Sequence, residues 1–158
     1  MSVAASPARA RRKLSFDSLD EVISDAERLV ESPNSKTLGA WPLGQLCTHL
    51  AMAINGSIDG IEDRAPLPVR MLGPLLKRWI LARGMSPGFK LPKQREAVFF
   101  PAATSAQEGL DKLRAAACRV KTERMTAQHP AFGKLTHDEW NRLHLRHAEL
   151  HLSFAVPE

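Results

Sequence analysis

His144, His147 and His151 fall within eight residues near the end of the 158-residue sequence. At ~100° per residue on a helix, they share one face with Trp140, Leu143, Leu150 and Phe154, and that face reads as the inward one. His147 and His151 stand at i and i+4, the spacing at which two imidazoles can grip one ion, whereas His144 and His151 are two turns apart and nearly eclipsed. Zinc, nickel or iron accepts such nitrogens, and a stable site needs at least one further protein ligand. His49 is the natural third, because it sits near the inner stripe of another helical segment. Three neutral imidazoles would leave an ion its full charge and leave positions open for water or substrate.

The plainer reading stands beside this one. A single histidine on an apolar face is more often a hydrogen-bonded core residue than a ligand. Three on one stripe are harder to place that way, since each unmet buried polar group costs about 1–3 kcal/mol. His144 is either a ligand or a residue that supports the ligands. His144 and His129 are also candidates for proton transfer, with a His-Pro turn whose ring bonds backbone as the alternative for His129.

The elements that must position these residues are helical. Leu19, Val22, Ile23, Ala26, Leu29 and Val30 recur at three- and four-residue intervals and predict a helix over 17–31, closed by Ser32-Pro33. Trp41-Pro42-Leu43 opens a second helix, since proline suits the first helical position. Leu43, Leu46, Cys47, Leu50, Ala53, Ile54 and Ser57 form its inner stripe. A third piece covers 69–82, where Pro74 should kink or divide it and Gly84 should stop it. Residues 85–103, with three prolines, read as a long irregular crossover able to cover a pocket, with Phe89, Phe99 and Phe100 to bury. Capping boxes at Thr104/Gln107 and Thr136/Glu139 start two more helices, the last running nearly to Pro157. No alternating run demands a strand. The expected fold class is all-α, with a basic N-terminal tail over 1–13 and one domain over 14–158.

Composition narrows the function classes. Hydrophobic residues at 44% and charged residues at 25% suit a globular domain, and no apolar run reaches the ~20 residues of a membrane-spanning helix. The basic start is followed by Ser15-Phe16-Asp17-Ser18 rather than an apolar stretch, unlike a secretion signal. Cys47 and Cys118 match no metal or redox spacing, so the expectation is two reduced thiols in a cytoplasmic protein. The net charge of +5 is uneven: Lys77, Arg78, Arg83, Lys90, Lys93 and Arg95 precede any acid until Glu96. This asymmetry points to an anionic neighbour or to a merely solvated basic face. Nucleic acid is not indicated, because no binding motif or aromatic platform accompanies the charge.

The sequence resembles the DUF1569 group of the DinB/YfiT-like superfamily of metal-dependent four-helix bundles. Trp41-Pro42-Leu43-Gly44-Gln45-Leu46-Cys47-Thr48-His49-Leu50-Ala51 is similar to that family's W-x-x-G-Q-x-x-x-H-L-A helix. His129-Pro130-Ala131-Phe132-Gly133, Trp140 and the final-helix histidines extend the resemblance over about 14–154. It implies a DinB-like four-helix bundle binding a divalent metal through His49, His147 and His151. It further implies thiol-dependent transfer with a low-molecular-weight thiol, while the open metal position could equally activate water for hydrolysis and the basic residues from Lys77 to Arg95 could attract a small anionic substrate. The segment His147–Phe154 lacks the Gly-Gln that follows the last histidine in other branches. The competing expectation is a non-catalytic module that dimerises, or docks on an acidic surface, through Leu72, Leu75, Leu76, Trp79 and Ile80. A homodimer is therefore among the partners considered and integral membrane association is not; the segment also resembles a membrane-surface helix, against which Pro74 and an expected core role for Trp79 argue.

Overall fold

The computed structural model describes residues 11–88, 96 and 99–157. Its elements follow in order: α1 (Leu19–Glu31), β1 (Lys36–Thr37), α2 (Leu43–Asp59), α3 (Leu67–Arg83), α4 (Ala106–Val120), β2 (Gln128–His129), β3 (Gly133–Lys134), α5 (His137–Leu152) and β4 (Ala155–Val156). The chain is mostly helical, as its periodicity requires. Two short antiparallel pairs correct the expectation of no strands: β1 with β4 (Lys36 opposite Val156) and β2 with β3 (Gln128 opposite Lys134). At two residues each, they are too short for alternation to register in sequence.

Helices α1, α2, α4 and α5 share one core, built from Val22, Ala26 and Leu29 on α1, Leu46, Leu50 and Ile54 on α2, Leu110 and Leu113 on α4, and Leu145, Ala148 and Leu152 on α5. Burying a side chain such as Leu29 or Leu113 contributes roughly 2 kcal/mol before cavity effects. A second cluster of Leu81, Met125, Leu135, Trp140 and Leu143 lies where α3 meets α5 and the β2–β3 turn. Helices α2 and α4 approach closely because Gly44 and Gly109 present no side chain. A Cβ on Gly44 would run into the Thr104 and Ser105 carbonyls, and one on Gly109 into the backbone of Gly44.

Several local expectations need adjustment. Helix α1 begins at Leu19 rather than at 17, with Ser18 capping it by accepting from the Glu21 amide. Ser105 rather than Thr104 caps α4, and Thr104 Oγ1 instead donates to the Ala102 carbonyl. Pro74 neither breaks nor divides α3, which runs unbroken to Gly84 at φ 90°. The Thr136/Glu139 box forms reciprocally, but α5 stops at Leu152 and gives way to β4. Arg12 is anchored rather than free: its guanidinium grips both Asp25 oxygens at 2.8 and 2.7 Å and reaches the carbonyls of Ala155 and Leu152. Most of the expected crossover, including Phe89, Lys90, Lys93 and Arg95, lies outside the described residues. Cys47 is buried, Cys118 is exposed, and both thiols are free.

Candidate metal centre

The i,i+4 spacing puts His147 and His151 on the same side of α5, facing His49 from α2. The three rings form a mutual edge-to-face triangle, with centroids 4.9 Å apart for His49–His147, and 4.6 Å for both His49–His151 and His147–His151. One ring nitrogen from each lies within 4.8 Å of the others. Ligands about 2.0–2.1 Å from a tetrahedral zinc sit roughly 3.3 Å apart, so shifts well under 2 Å would convert this triangle into a coordination shell.

Hydrogen bonding orients one of the candidate ligands. His49 Nδ1 donates to the Phe99 carbonyl at 2.7 Å, which fixes the tautomer and leaves the Nε2 lone pair directed at His147 Nε2, 3.0 Å away. Metal-ligating histidines are commonly held by such a donation from the other ring nitrogen. Without a cation, one of the two facing Nε2 atoms must carry a proton to avoid lone-pair repulsion, and an ion would take that proton's place.

The W-x-x-G-Q-x-x-x-H segment builds the support around this carbonyl. Trp41 lies edge-on to His49 at 5.0 Å, parallel to His151 at 5.9 Å and edge-on to Phe100 at 4.8 Å. Gly44 lets the chain at Thr104–Ser105 approach α2, and Gln45 Nε2 donates to the Pro101 carbonyl at 2.7 Å. Each named position of the motif therefore holds the segment from Phe99 to Ser105 against the histidines.

Electrostatics keep the imidazoles in the form a cation needs. Burial pushes the His151 pKa down to about 3, with the charge of His49 adding to the effect. His147 is lowered well below 6.5, by burial first and then by His151 and His49. His49 is also lowered by burial, against an opposing push from the Phe99 carbonyl. At neutral pH all three are free bases, so binding an ion requires no net loss of protons from imidazolium.

His144 and His129 are placed apart from the trio and have partners of their own. His144 is buried, stacks on Trp140 at 5.4 Å and donates from Nε2 to Ser57 Oγ at 3.0 Å, while Ser57 donates to the Ile54 carbonyl at 2.6 Å. Burial, with His129 nearby, lowers its pKa to about 3. His129 Nδ1 accepts the amides of Ala131 and Phe132, both at 3.1 Å, so the ring organises the β2–β3 turn and stacks on Phe132. Burial takes its pKa to about 4. Sequence reasoning missed the Phe99 carbonyl and the Ser57 hydroxyl as partners. Ser57 stood on the predicted inner stripe, where a polar residue must find a bond, but a main-chain carbonyl leaves no mark in sequence.

Other features lie away from the trio. A cleft of about 520 Å³ is lined by residues between Lys13 and Glu31 and holds none of these histidines. Within the basic stretch, Lys77 is engaged by Glu139 at 2.9 Å. Among the described residues, no helix is long and apolar enough to cross a membrane.

The family model described as "Protein of unknown function (DUF1569)" matches residues 8–158. No curated protein and no solved structure matches the chain.

Proposed function

The chain belongs to the DUF1569 family, and we propose that it is a divalent-metal protein of the wider DinB/YfiT-like superfamily of four-helix bundles, with His49, His147 and His151 as ligands. The observation that carries the reading is the convergence of three neutral imidazoles from two helices, one of them oriented by the Phe99 carbonyl. Four helices around one core, with ligands projecting from facing helices, are a usual setting for such a site. Zinc, nickel or iron fits an all-imidazole donor set.

The activity proposed is thiol-dependent transfer or metal-assisted hydrolysis. When bound, the ion would supply Lewis acidity that lowers the pKa of a coordinated water or low-molecular-weight thiol. The chain's own residues do the positioning: Phe99 fixes the His49 tautomer, Trp41 and Phe100 wall the trio with aromatic surface, and Ser57 holds His144 one turn before His147. Cations between Arg78 and Arg95 would draw a small anionic substrate or thiol. Free Cys47 and Cys118 suit a reducing, cytoplasmic setting.

The test is elemental analysis of protein prepared without a polyhistidine tag, followed by thiol-transfer and hydrolysis assays on the metal form obtained. One divalent ion per chain, lost in His147→Ala and His49→Ala but kept in His129→Gln, supports the reading. Absence of stoichiometric metal after zinc, nickel and iron reconstitution would discard it.

A further inference from the structure

Among the described residues, helix α3 contacts the rest of the protein along a narrow strip. Its buried residues are Gly73 and Leu81, and Lys77 on the same side is tied to Glu139. Gly73 is required there, since a Cβ would strike the Ala131 carbonyl. The opposite side is apolar and open: Leu67 is 65% exposed, Met71 73%, Leu72 57%, Leu75 68%, Leu76 40% and Trp79 47%. At ~100° per residue these six span about half the helix circumference, with Arg78 and Arg83 set just inside its two ends. Ordinary surfaces scatter exposed apolar residues singly, so a continuous stripe of this size marks an interaction site.

Charge identifies the partner. From Arg64 to Arg95 there are eight Lys and Arg residues and no Asp or Glu. Arg78 and Arg83 are exposed, and their helical positions fall on the two edges of the apolar stripe. A second copy packing on this face through a twofold axis would bring the same arginines together along one seam, with no acid on α3 to oppose them. The stripe is also convex, a ridge on one helix rather than a groove. An apolar ridge edged by arginines and carrying a tryptophan matches a helix that lies in a lipid headgroup layer, with the guanidinium groups reaching back to the phosphates.

We propose that α3 is a peripheral docking surface for an anionic phospholipid membrane, inserting Leu67, Met71, Leu75 and Trp79 while Arg78 and Arg83 pair with lipid phosphate. The helix is already formed and its buried strip remains on α5, so binding requires no unfolding of the metal-site helices. This inference does not depend on what His49, His147 and His151 hold.

Sedimentation of the full chain with vesicles tests it. Binding is expected to phosphatidylcholine vesicles containing phosphatidylglycerol, falling at least about tenfold on vesicles of phosphatidylcholine alone or in 1 M salt. Leu75→Glu should also weaken binding by at least about tenfold without changing the melting temperature, because its side chain touches solvent. Tryptophan emission should shift to the blue on binding, and Trp79→Phe should abolish the shift, since Trp140 is buried and Trp41 is packed among rings. Three results would overturn the proposal: no binding of the unaltered chain to the anionic vesicles, a dimer that Leu75→Glu converts to monomer, or capture by polyglutamate with no vesicle binding. The second would assign the face to another copy, and the third to an acidic protein.

Discussion

Two of the polar regions set into the apolar interior are built on opposite plans. Around Asp25, which is 2% exposed, Arg12 makes a two-point ion pair, Arg28 adds a contact at 3.1 Å, and two further guanidinium hydrogens of Arg12 go to the carbonyls of Ala155 and Leu152. Around His49, three imidazoles turn ring nitrogens toward one another, and a hydrogen bond at 3.0 Å joins only His49 and His147 across the gap. A buried charge whose partners are complete is a structural fastener. Convergent acceptors with too few protons between them leave room for a cation. The contrast predicts that damage to the first region lowers stability whatever the metal, whereas damage to the second lowers metal affinity and leaves the metal-free fold largely intact.

Arg12→Met should have the largest effect. It leaves the Asp25 carboxylate buried with only the exposed Arg28 beside it, and removing one member of a buried pair costs about 3 kcal/mol or more. Urea unfolding of the metal-free protein would measure the loss. A change below about 1 kcal/mol would mean that the ion pair is not the fastener described.

His147→Ala should behave in the reverse way. In the metal-free protein its unfolding free energy should change by less than in Arg12→Met, since His147 lacks a full set of partners. Zinc at a hundred times its dissociation constant should stabilise the unaltered protein by about 3 kcal/mol, and this increment should vanish in the variant. An equal zinc-dependent rise in melting temperature in both proteins would place the ion elsewhere.

The contrast was only half legible in the sequence. The i,i+4 histidine pair, the Thr136/Glu139 box that starts their helix and the choice of His49 follow from spacing and inner stripes, because helical periodicity is a local property. Arg12 reads only as part of a basic tail, since nothing local shows that it will close on Asp25, 13 positions away, into one buried pair beside the C-terminal strand. Pro74 also misled. Proline removes one amide donor and crowds the preceding turn, but on a helix exposed over half its girth the freed Arg70 carbonyl can meet solvent. The Ser105 cap one residue beyond Thr104 reflects tertiary approach through Gly44, which a capping pattern does not encode.

Acidification sharpens the comparison at intermediate size. His129 and His144 have folded pKa values of about 4 and about 3 against an ordinary value of 6.5. Below pH 6.5 the unfolded chain binds protons that the folded chain refuses, so stability falls as pH drops from 6.5 toward 4, and it is fully retained above 6.5. The slope should be about 1 kcal/mol per pH unit for each histidine. Denaturant midpoints at several pH values would measure it, and His129→Gln should make the dependence shallower. A flat profile between pH 6.5 and 4.5 would show that these rings titrate normally.

The smallest effect should come from a residue that touches neither region. Gln45 holds the Pro101 carbonyl, two residues beyond the Phe99 carbonyl that orients His49. Gln45→Leu keeps the helix and its volume but releases this tie, so the Phe99 carbonyl loses part of its fixed position and His49 can adopt the other tautomer. Supporting bonds of this kind are worth about 10- to 100-fold in metal affinity. Because the Phe99 contact itself remains, a loss near tenfold is expected, with unfolding of the metal-free protein nearly unchanged. Zinc titration against a competing chelator would resolve it. A variant that binds zinc as tightly as the parent would show that His49 is held by Trp41 and its neighbours alone, whereas one that loses metal-free stability as Arg12→Met does would make Gln45 part of the fastening rather than of the site.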